Sequence, residues 1–326
     1  MMANPKEIYD LLQDKMSQSG SAEIERLLIG LTWTLCEVEG NSGLAMSPGI
    51  PTRTLPWSGS MSGARISGLK DWITSWNSYN ATVAMAAANA IINTRSSLRT
   101  KASPINMNMG PGNLAVFEHF APLFKDKKVA VVGRYPGLDL YEDTCDLTVL
   151  ERKPGSGDLP DMACEFVLPE AEWVFLTGTS IPNKTFPRLV ELSKDANLVL
   201  MGPTVPWLSE LSEFGVDFVA GVNVDQSHML YHTVAEGGGM RIFGNGVNYS
   251  VVDLGQKQMS TVKQQIADVV AKREQLKSEM STWMAACKGR FPKMNELETL
   301  DNRLSHLDSR FKRLWDLRND GRVVAG

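Results

Sequence analysis

The stretch WVFLTGTSIPNKTFPRL, residues 173–189, gives the clearest indication of the fold class. Its first part, WVFLTG, is an apolar run that ends in a threonine and a glycine, and Thr185 then begins a segment typical of a helix. Parallel α/β sheets have such junctions, and their ligands bind where the strands end. Yet the stretch has no GxGxxG sequence, no phosphate-loop lysine and no nucleophile motif. It therefore predicts where a ligand binds without predicting which ligand.

Similar apolar runs lie on both sides of this stretch. They are VAVVG, LTVLER, NLVLMG and DFVAGVNV, at residues 129–133, 147–152, 197–202 and 217–224. Continuous apolar strands are buried on both faces, which requires a parallel sheet covered by helices. The sequence therefore predicts a Rossmann-like domain over residues 106–255, which opens with a helix in NLAVFEHFAPLFKD.

Residues 1–105 have a different pattern. A short amphipathic helix at residues 5–16 precedes the run LLIGLTWTLCEVEG at residues 27–40. A Gly-Asn-Ser-Gly turn at residues 40–43 and the return strand GLAMSP predict a hairpin. Two helices are expected after it, in ISGLKDWITSW and NATVAMAAANAIINTRSSL. A hairpin followed by helices predicts a small α+β domain.

Polar heptads fill residues 256–319. Apolar positions recur in two seams, Val262, Ile266, Val269, Leu276, Met280, Trp283 and Cys287, then Leu297, Leu300, Leu304, Leu307, Phe311 and Leu314. Arg273 interrupts the first seam. It is expected either to fix the register of the two helices or to reach past their interface. The pattern predicts two long helices joined at residues 289–292 in an antiparallel hairpin of coiled-coil type, and a tail at 320–326. The hairpin either packs on its own chain or serves as a docking or dimerisation arm, and with the second role we expect a homodimer.

Composition narrows the classes of partner. The 326 residues are 43% apolar and 21% charged, with a net charge of −4, which gives no reason to expect nucleic acid or an anionic membrane. No apolar run approaches the ~20 residues that cross a bilayer, and the amino terminus lacks a signal-type apolar core. We therefore expect a cytoplasmic protein. The cysteines, Cys36, Cys145, Cys164 and Cys287, form no CxxC pair and are expected to be reduced thiols.

The ends of parallel strands emerge on one edge of the sheet, so their loops are expected to converge on a ligand. The predicted ligand-binding residues are Gly133, Arg134, Tyr135, Glu151, Thr177, Gly178, Thr179, Asn183, Gly202, Pro203, Thr204, Asp225, Gly237 and Gly238. Glycine permits close backbone approach, threonine and asparagine offer neutral hydrogen bonds, and Arg134 and Glu151 add charge. The same residue types also make ordinary turns and caps, so the prediction rests on four similar junctions. Such a cleft suits a small polar ligand, or an anion at helix amino termini.

Two histidines suggest a separate metal site. Spacing of four places His228, His232 and Glu236 on one helical face, where such groups can bind a transition metal with a third ligand from Asp225 or a neighbouring loop. The alternative is an exposed helix with two histidines of no special role, in which Glu236 and the glycines after it end the helix.

Several blocks in series resemble a known family. VVGRYPGL, VLERKPGSGDLP, FLTGTSIPNKT, LMGPTVPW and FVAGVNVD resemble the putative heavy-metal chelation family, whose domain is Rossmann-like. GLTWTLCEVEGNSGLA and AAANAIIN resemble its usual partner, an enolase amino-terminal-like domain, and include Trp33, Thr34, Gly43, Leu44, Asn89 and Asn93. The resemblance implies a site between the two domains and a link to metal handling or to corrinoid-type cofactor metabolism.

The chain departs from the family pattern at two places. Arg134 and Tyr135 stand where a His-Phe type pair is expected, which removes a possible metal-binding imidazole, and the helical hairpin lies outside the pattern. Three hypotheses follow. The first is a protein that binds a transition metal or small metal chelate between its domains. The others are a Rossmann-class enzyme for a phosphorylated or nucleotide-like molecule, and a non-catalytic assembly factor that docks through residues 256–319. Whether any reaction is catalysed stays open.

Overall fold

The computed structural model describes residues 4–105, 112–286 and 289–320. Its contacts divide the chain into a large compact unit, Met2–Asp253, and a small one that contains Leu254–Gly326. Cys287 and residues 321–326, part of the predicted tail, lie outside the described residues. In the described part of the chain, no helix has both the length and the apolar character needed to cross a membrane.

The first part of the large unit is a three-stranded antiparallel sheet with helices. Its elements are α1 Ile8–Ser17, β1 Arg26–Ile29, β2 Trp33–Val38, β3 Asn41–Met46 and α2 Ser78–Arg95. The predicted hairpin is present, but its turn lies earlier than predicted, at Glu39 and Gly40, which have φ values of 50° and 71°. Two adjacent left-handed residues match the twist of a tight hairpin, so residues 41–43 already belong to β3.

One predicted helix has a different form. Residues Ile66–Thr74 make a 3₁₀ helix rather than an α-helix. The alanine-rich α2 is confirmed, and it is capped by Asn77, whose side chain accepts hydrogen bonds from the backbone N–H groups of Tyr79 and Asn80. Small side chains on α2 allow β3 to lie close against it, because a Cβ at Gly43 would be only 2.1 Å from the Ala86 carbonyl oxygen.

The second part of the large unit is an eight-stranded mixed sheet. Its strands are β4 Ser103–Pro104, β5 Lys128–Val132, β6 Asp146–Glu151, β7 Leu159–Pro160, β8 Trp173–Thr177, β9 Asn197–Met201, β10 Phe218–Val224 and β11 Val247–Asp253. Its helices are α3 Ala115–Phe124, α4 Cys164–Val167, α5 Phe186–Leu192 and α6 Ser227–Ala235. The five apolar runs are confirmed as parallel strands, whereas β11 pairs antiparallel with β10.

The strand order positions the site. The sheet runs β4-β11-β10-β9-β8-β5-β6-β7, so the chain goes from β5 to β6 on one side and then crosses to β8 on the other. This reversal between β5 and β8 is the point where open α/β sheets bind ligands. Aromatic packing of Phe117, Phe120 and Phe124 of α3 against Phe175 of β8 covers one face of the sheet.

The small unit is a pair of long helices, α7 Gly255–Ala286 and α8 Met294–Asp320. Their shared core holds Met259, Val262, Ile266, Val269, Leu300, Leu304, Leu307 and Phe311, which includes three of the seven positions of the first predicted seam and four of the six of the second. Arg273 donates a hydrogen bond to Asp301 across the pair, which agrees with a role in register. Lys293, directly before α8, makes a further ion pair with Glu279 of α7 at 2.8 Å.

Candidate functional site

The loops after β5, β8 and β9 meet at the reversal point. A Cβ at Gly133 would lie 3.3 Å from the Thr177 side chain, and one at Gly202 would lie 3.6 Å from the Tyr135 hydroxyl. Both glycines have positive φ, 101° and 110°, which L side chains rarely adopt. Glycine at these two positions therefore lets the loops after the three strands approach one another closely.

Neutral hydroxyl groups lie where these loops meet. Tyr135 is half-buried and hydrogen-bonds the side chain of Thr177, and burial raises the pKa of Tyr135 to about 12. Thr177 Oγ1 accepts from the backbone N–H of Thr179 at 3.3 Å, and Thr179 Oγ1 approaches Met46 Sδ at 3.7 Å. Because the tyrosine stays protonated, these groups can orient a polar ligand but bring no charge to it.

The charged residues that were predicted to bind a ligand here, Arg134 and Glu151, make hydrogen bonds and ion pairs within the turns after β5 and β6 instead. Glu151 Oε2 accepts from the Arg134 backbone N–H at 2.9 Å, and its Oε1 accepts from the Lys153 N–H at 3.1 Å. The Arg134 guanidinium pairs with Asp158 and lies 3.8 Å from Asp139. Glu151 and Arg134 therefore order the turns after β5 and β6.

Other predicted residues join the first domain to the sheet. Thr204 Oγ1 accepts from the Met46 N–H at 3.0 Å, and its carbonyl accepts from Asn89 Nδ2 at 3.0 Å. The same amide donates to the Leu44 carbonyl at 2.8 Å. Gly178 is equally confined, because a Cβ there would lie 2.8 Å from the Val205 nitrogen. Pro203 is buried beside Thr204, whereas Asn183 is exposed.

Sequence reasoning identified neither Met46 nor the bridging role of Asn89, although Asn89 lies in a block that resembles the partner domain. Nothing in the local pattern around Met46 indicates that its backbone reaches a loop 158 residues away. For Asn89, the resemblance of the block AAANAIIN to the partner domain was the one feature of the sequence that indicated a special role.

The α-helix amino termini that could hold an anion do not follow β5 and β8 directly. Short 3₁₀ helices, Leu138–Tyr141 and Gly178–Ser180, follow β5 and β8. A turn of this length has no aligned dipole comparable to that of an α-helix, so the loops lack the geometry that holds a phosphate in a nucleotide site.

The glycine run after α6 passes against the first domain. Trp33 Nε1 donates to the Gly239 carbonyl at 3.0 Å, and a Cβ at Gly237 would lie 3.0 Å from the Leu31 side chain. A Cβ at Gly238 would meet the Thr233 carbonyl at 2.6 Å. The run therefore ends α6, as predicted, and brings the chain close to the turn between β1 and β2.

The two histidines of α6 face each other. His228 Nε2 and His232 Nε2 are 3.3 Å apart, and both side chains are exposed. Asp225, the suggested third ligand, accepts a hydrogen bond from Asn248 instead. Among the residues that the structure describes, no three His, Cys, Asp or Glu side chains are placed to hold one metal ion. The pair thus offers two nitrogen donors and leaves the other coordination positions open.

The chain was compared with known families and structures. A family model described as "Putative heavy-metal chelation" matches residues 115–253, and another with the same description matches residues 9–92. An uncharacterized protein of Methanocaldococcus jannaschii is 34% identical over 116 residues, which is 32% of this chain and 44% of that relative. The match thus spans less than half of the relative.

Two solved structures have the same fold. A protein of unknown function from the DUF364 family of Desulfitobacterium hafniense is 29% identical, with a TM-score of 0.66 over 76% of this chain and 98% of that one. A second, from Pyrococcus horikoshii, is 21% identical, with a TM-score of 0.61 over 76% of this chain and 99% of that one. The resemblance found in the sequence is confirmed, because two family models described as putative heavy-metal chelation match residues 9–92 and 115–253 and the solved structures with this fold come from the DUF364 family.

Proposed function

We propose that this chain is a metal-handling protein that binds a transition metal as cargo between His228 and His232. Water or a small chelating ligand brought with the metal completes the coordination. The observation that carries the proposal is the separation of 3.3 Å between the two Nε2 atoms. The description shared by both family models supports it.

The separation matches the geometry of a metal site. Zinc–nitrogen bonds are about 2.0–2.1 Å long in tetrahedral sites, so two nitrogens on neighbouring corners lie about 3.3 Å apart. Imidazole suits zinc, copper and nickel alike, and thus the pair does not select one of them. A hydrogen bond between two neutral rings gives the same distance, and only a binding measurement separates the two cases.

The loops at the reversal point do not fit a resident metal ion. Their hydroxyl groups on Tyr135 and Thr177 are neutral, and the Glu151 carboxylate already accepts two backbone hydrogen bonds. Such a donor set lacks the imidazole, thiolate or free carboxylate that transition metals prefer. These loops instead suit a neutral polar part of a small molecule.

Metal titration of tag-free protein tests the proposal. We expect one zinc, nickel or copper ion to bind per chain, and His228→Ala or His232→Ala to weaken binding at least about tenfold, since each removes one of two nitrogen donors. His306→Ala, which removes an exposed histidine from α8, is the matched control and should bind as the parent does. Equal affinity in all four proteins would refute the histidine site.

The enzyme hypothesis receives less support. It depends on helix amino termini to hold a phosphate, and 3₁₀ helices occupy the positions after β5 and β8. The neutral hydroxyl groups of Tyr135 and Thr177 remain compatible with other small molecules. We therefore propose no reaction.

A specific observation favours self-association through residues 256–319. The side chains of Trp283 and Trp315 are 37% and 52% exposed on otherwise polar helices, and Met284 is 63% exposed. Large apolar side chains on such a surface are typical of protein contacts. We expect the full chain to be a dimer by light scattering, and a chain that ends at Asp253 to be a folded monomer. An unchanged number of subunits after truncation would contradict this role.

A further inference from the structure

A small polar pocket lies where β10 ends and α6 begins. Its volume is about 110 Å³, and its walls come from both parts of the large unit. The lining includes Ser42 of the hairpin, Asn93 of α2, Arg99, Asp225 and Ser227. Neither the family descriptions nor the histidine pair accounts for this pocket.

Two buried polar atoms in the walls have no partner in the protein. They are Ser42 Oγ and Asn93 Oδ1, and Ser42 is only 6% exposed. Burying a polar atom without a hydrogen bond is unfavourable, so such atoms are normally satisfied by water or a ligand. The pocket is large enough for either, because one water needs only about 10–15 Å³ of cavity volume.

Positive groups surround the same space. Arg99 Nε donates to Asn223 Oδ1 at 2.9 Å and Nη1 donates to the Asn93 carbonyl at 3.1 Å, which fixes the guanidinium at the wall and leaves further N–H donors. The nine-residue helix α6 begins at Ser227, and Gln226 before it provides no side-chain cap. Its first N–H groups, with the positive end of the helix dipole, therefore lie beside the pocket.

Asp225 is the acidic residue of the lining. Its Oδ2 accepts a hydrogen bond from Asn248, which orients the carboxylate and satisfies part of it. The remaining polar groups divide into donors for an anion, on Arg99, Ser42 and α6, and one acceptor, Asn93 Oδ1. A molecule that satisfies both kinds must itself accept and donate.

We infer that this pocket binds a small oxyanion that also carries a hydroxyl group, such as hydrogen phosphate or an α-hydroxycarboxylate. The oxyanion accepts from the Arg99 guanidinium, the Ser42 hydroxyl and the first N–H groups of α6. The hydroxyl donates to Asn93 Oδ1. The site uses none of the imidazole nitrogens of the proposed metal site.

Calorimetric titration at constant ionic strength tests the inference, with inorganic phosphate, glycolate and acetate as separate probes. We expect saturable binding of phosphate or glycolate, and weaker binding of acetate, which has no hydroxyl to donate. Saturation by phosphate identifies a phosphate group as the natural ligand, and saturation by glycolate alone identifies a hydroxy acid. No saturable binding of either would overturn the inference and leave a pocket filled by water.

Variants tie the binding to the pocket. Ser42→Ala should weaken binding about tenfold, because one hydrogen bond to a charged group is lost, and Arg99→Gln should weaken it further. Arg53→Gln removes the same charge from an exposed loop and is the control. If Arg99→Gln fails to fold, Ser42→Ala alone decides the question. If Ser42→Ala binds phosphate and glycolate as tightly as the parent does, the inference is overturned. The same variant should bind the metal as the parent does, which separates this site from the histidine pair.

Discussion

Gly43→Ala is expected to destabilise the large unit by about 3 kcal/mol or more, because the new methyl group has no space. Its Cβ would lie 2.1 Å from the Ala86 carbonyl oxygen and 2.2 Å from the Ala90 nitrogen, and both atoms belong to the backbone of α2. A backbone cannot rotate away as a side chain can. The strand β3 would have to move off α2, and the Met46–Thr204 hydrogen bond at its end would be strained.

Urea denaturation of the parent and the variant measures this effect. Gly68→Ala is the control, since a Cβ at Gly68 meets no atom within 4 Å and the residue does not need a left-handed backbone. The control should differ from the parent by less than about 1 kcal/mol. A Gly43→Ala protein as stable as the control would show that β3 does not lie this close to α2.

Trp207→Ala should cost about 3–5 kcal/mol, the usual range for removal of a buried tryptophan. Trp207 is 1% exposed, its ring lies over Gly221 of β10, and its Nε1 donates to the Val222 carbonyl at 3.2 Å. Its carbonyl also accepts from Ser96 Oγ at 2.6 Å, which ties the loop after β9 to the segment after α2. The substitution removes the indole ring. It leaves a cavity over Gly221, and the Val222 carbonyl beside it loses the hydrogen bond from the indole N–H.

The matched control for this change is Trp76→Ala, at a tryptophan that is 86% exposed. It should alter the midpoint of thermal unfolding by only a few degrees, whereas Trp207→Ala should lower it by about 6–20 °C, at about 2–4 °C per kcal/mol for a unit of this size. Equal midpoints for the two variants would contradict the buried position of Trp207.

The strands and the helical hairpin were predictable because their signals are local. Runs such as residues 173–176 are apolar throughout, and burial on both faces in a parallel sheet requires this. The heptad positions Val262, Val269 and Leu307 likewise predicted the faces that pack in α7 and α8. Their spacing carries the information without any knowledge of distant residues.

The candidate sites were less predictable because they join distant segments. Thr204 was identified as a ligand group, yet its hydroxyl accepts from Met46, far away in the chain. The polar pocket brings Ser42 and Arg99 together with Asp225, and only Asp225 belonged to a recognisable strand end. A 3₁₀ turn after β8 could not be distinguished from a helix start, because threonine and serine are common in both.

The most direct test of the metal-handling account is anomalous diffraction at the zinc edge from crystals of tag-free protein grown with stoichiometric zinc. The account predicts one strong peak about 2.0–2.1 Å from Nε2 of both His228 and His232, with the remaining ligands from water or a small molecule. A peak held elsewhere in the chain, or two histidine rings hydrogen-bonded to each other with no metal between them, would contradict it.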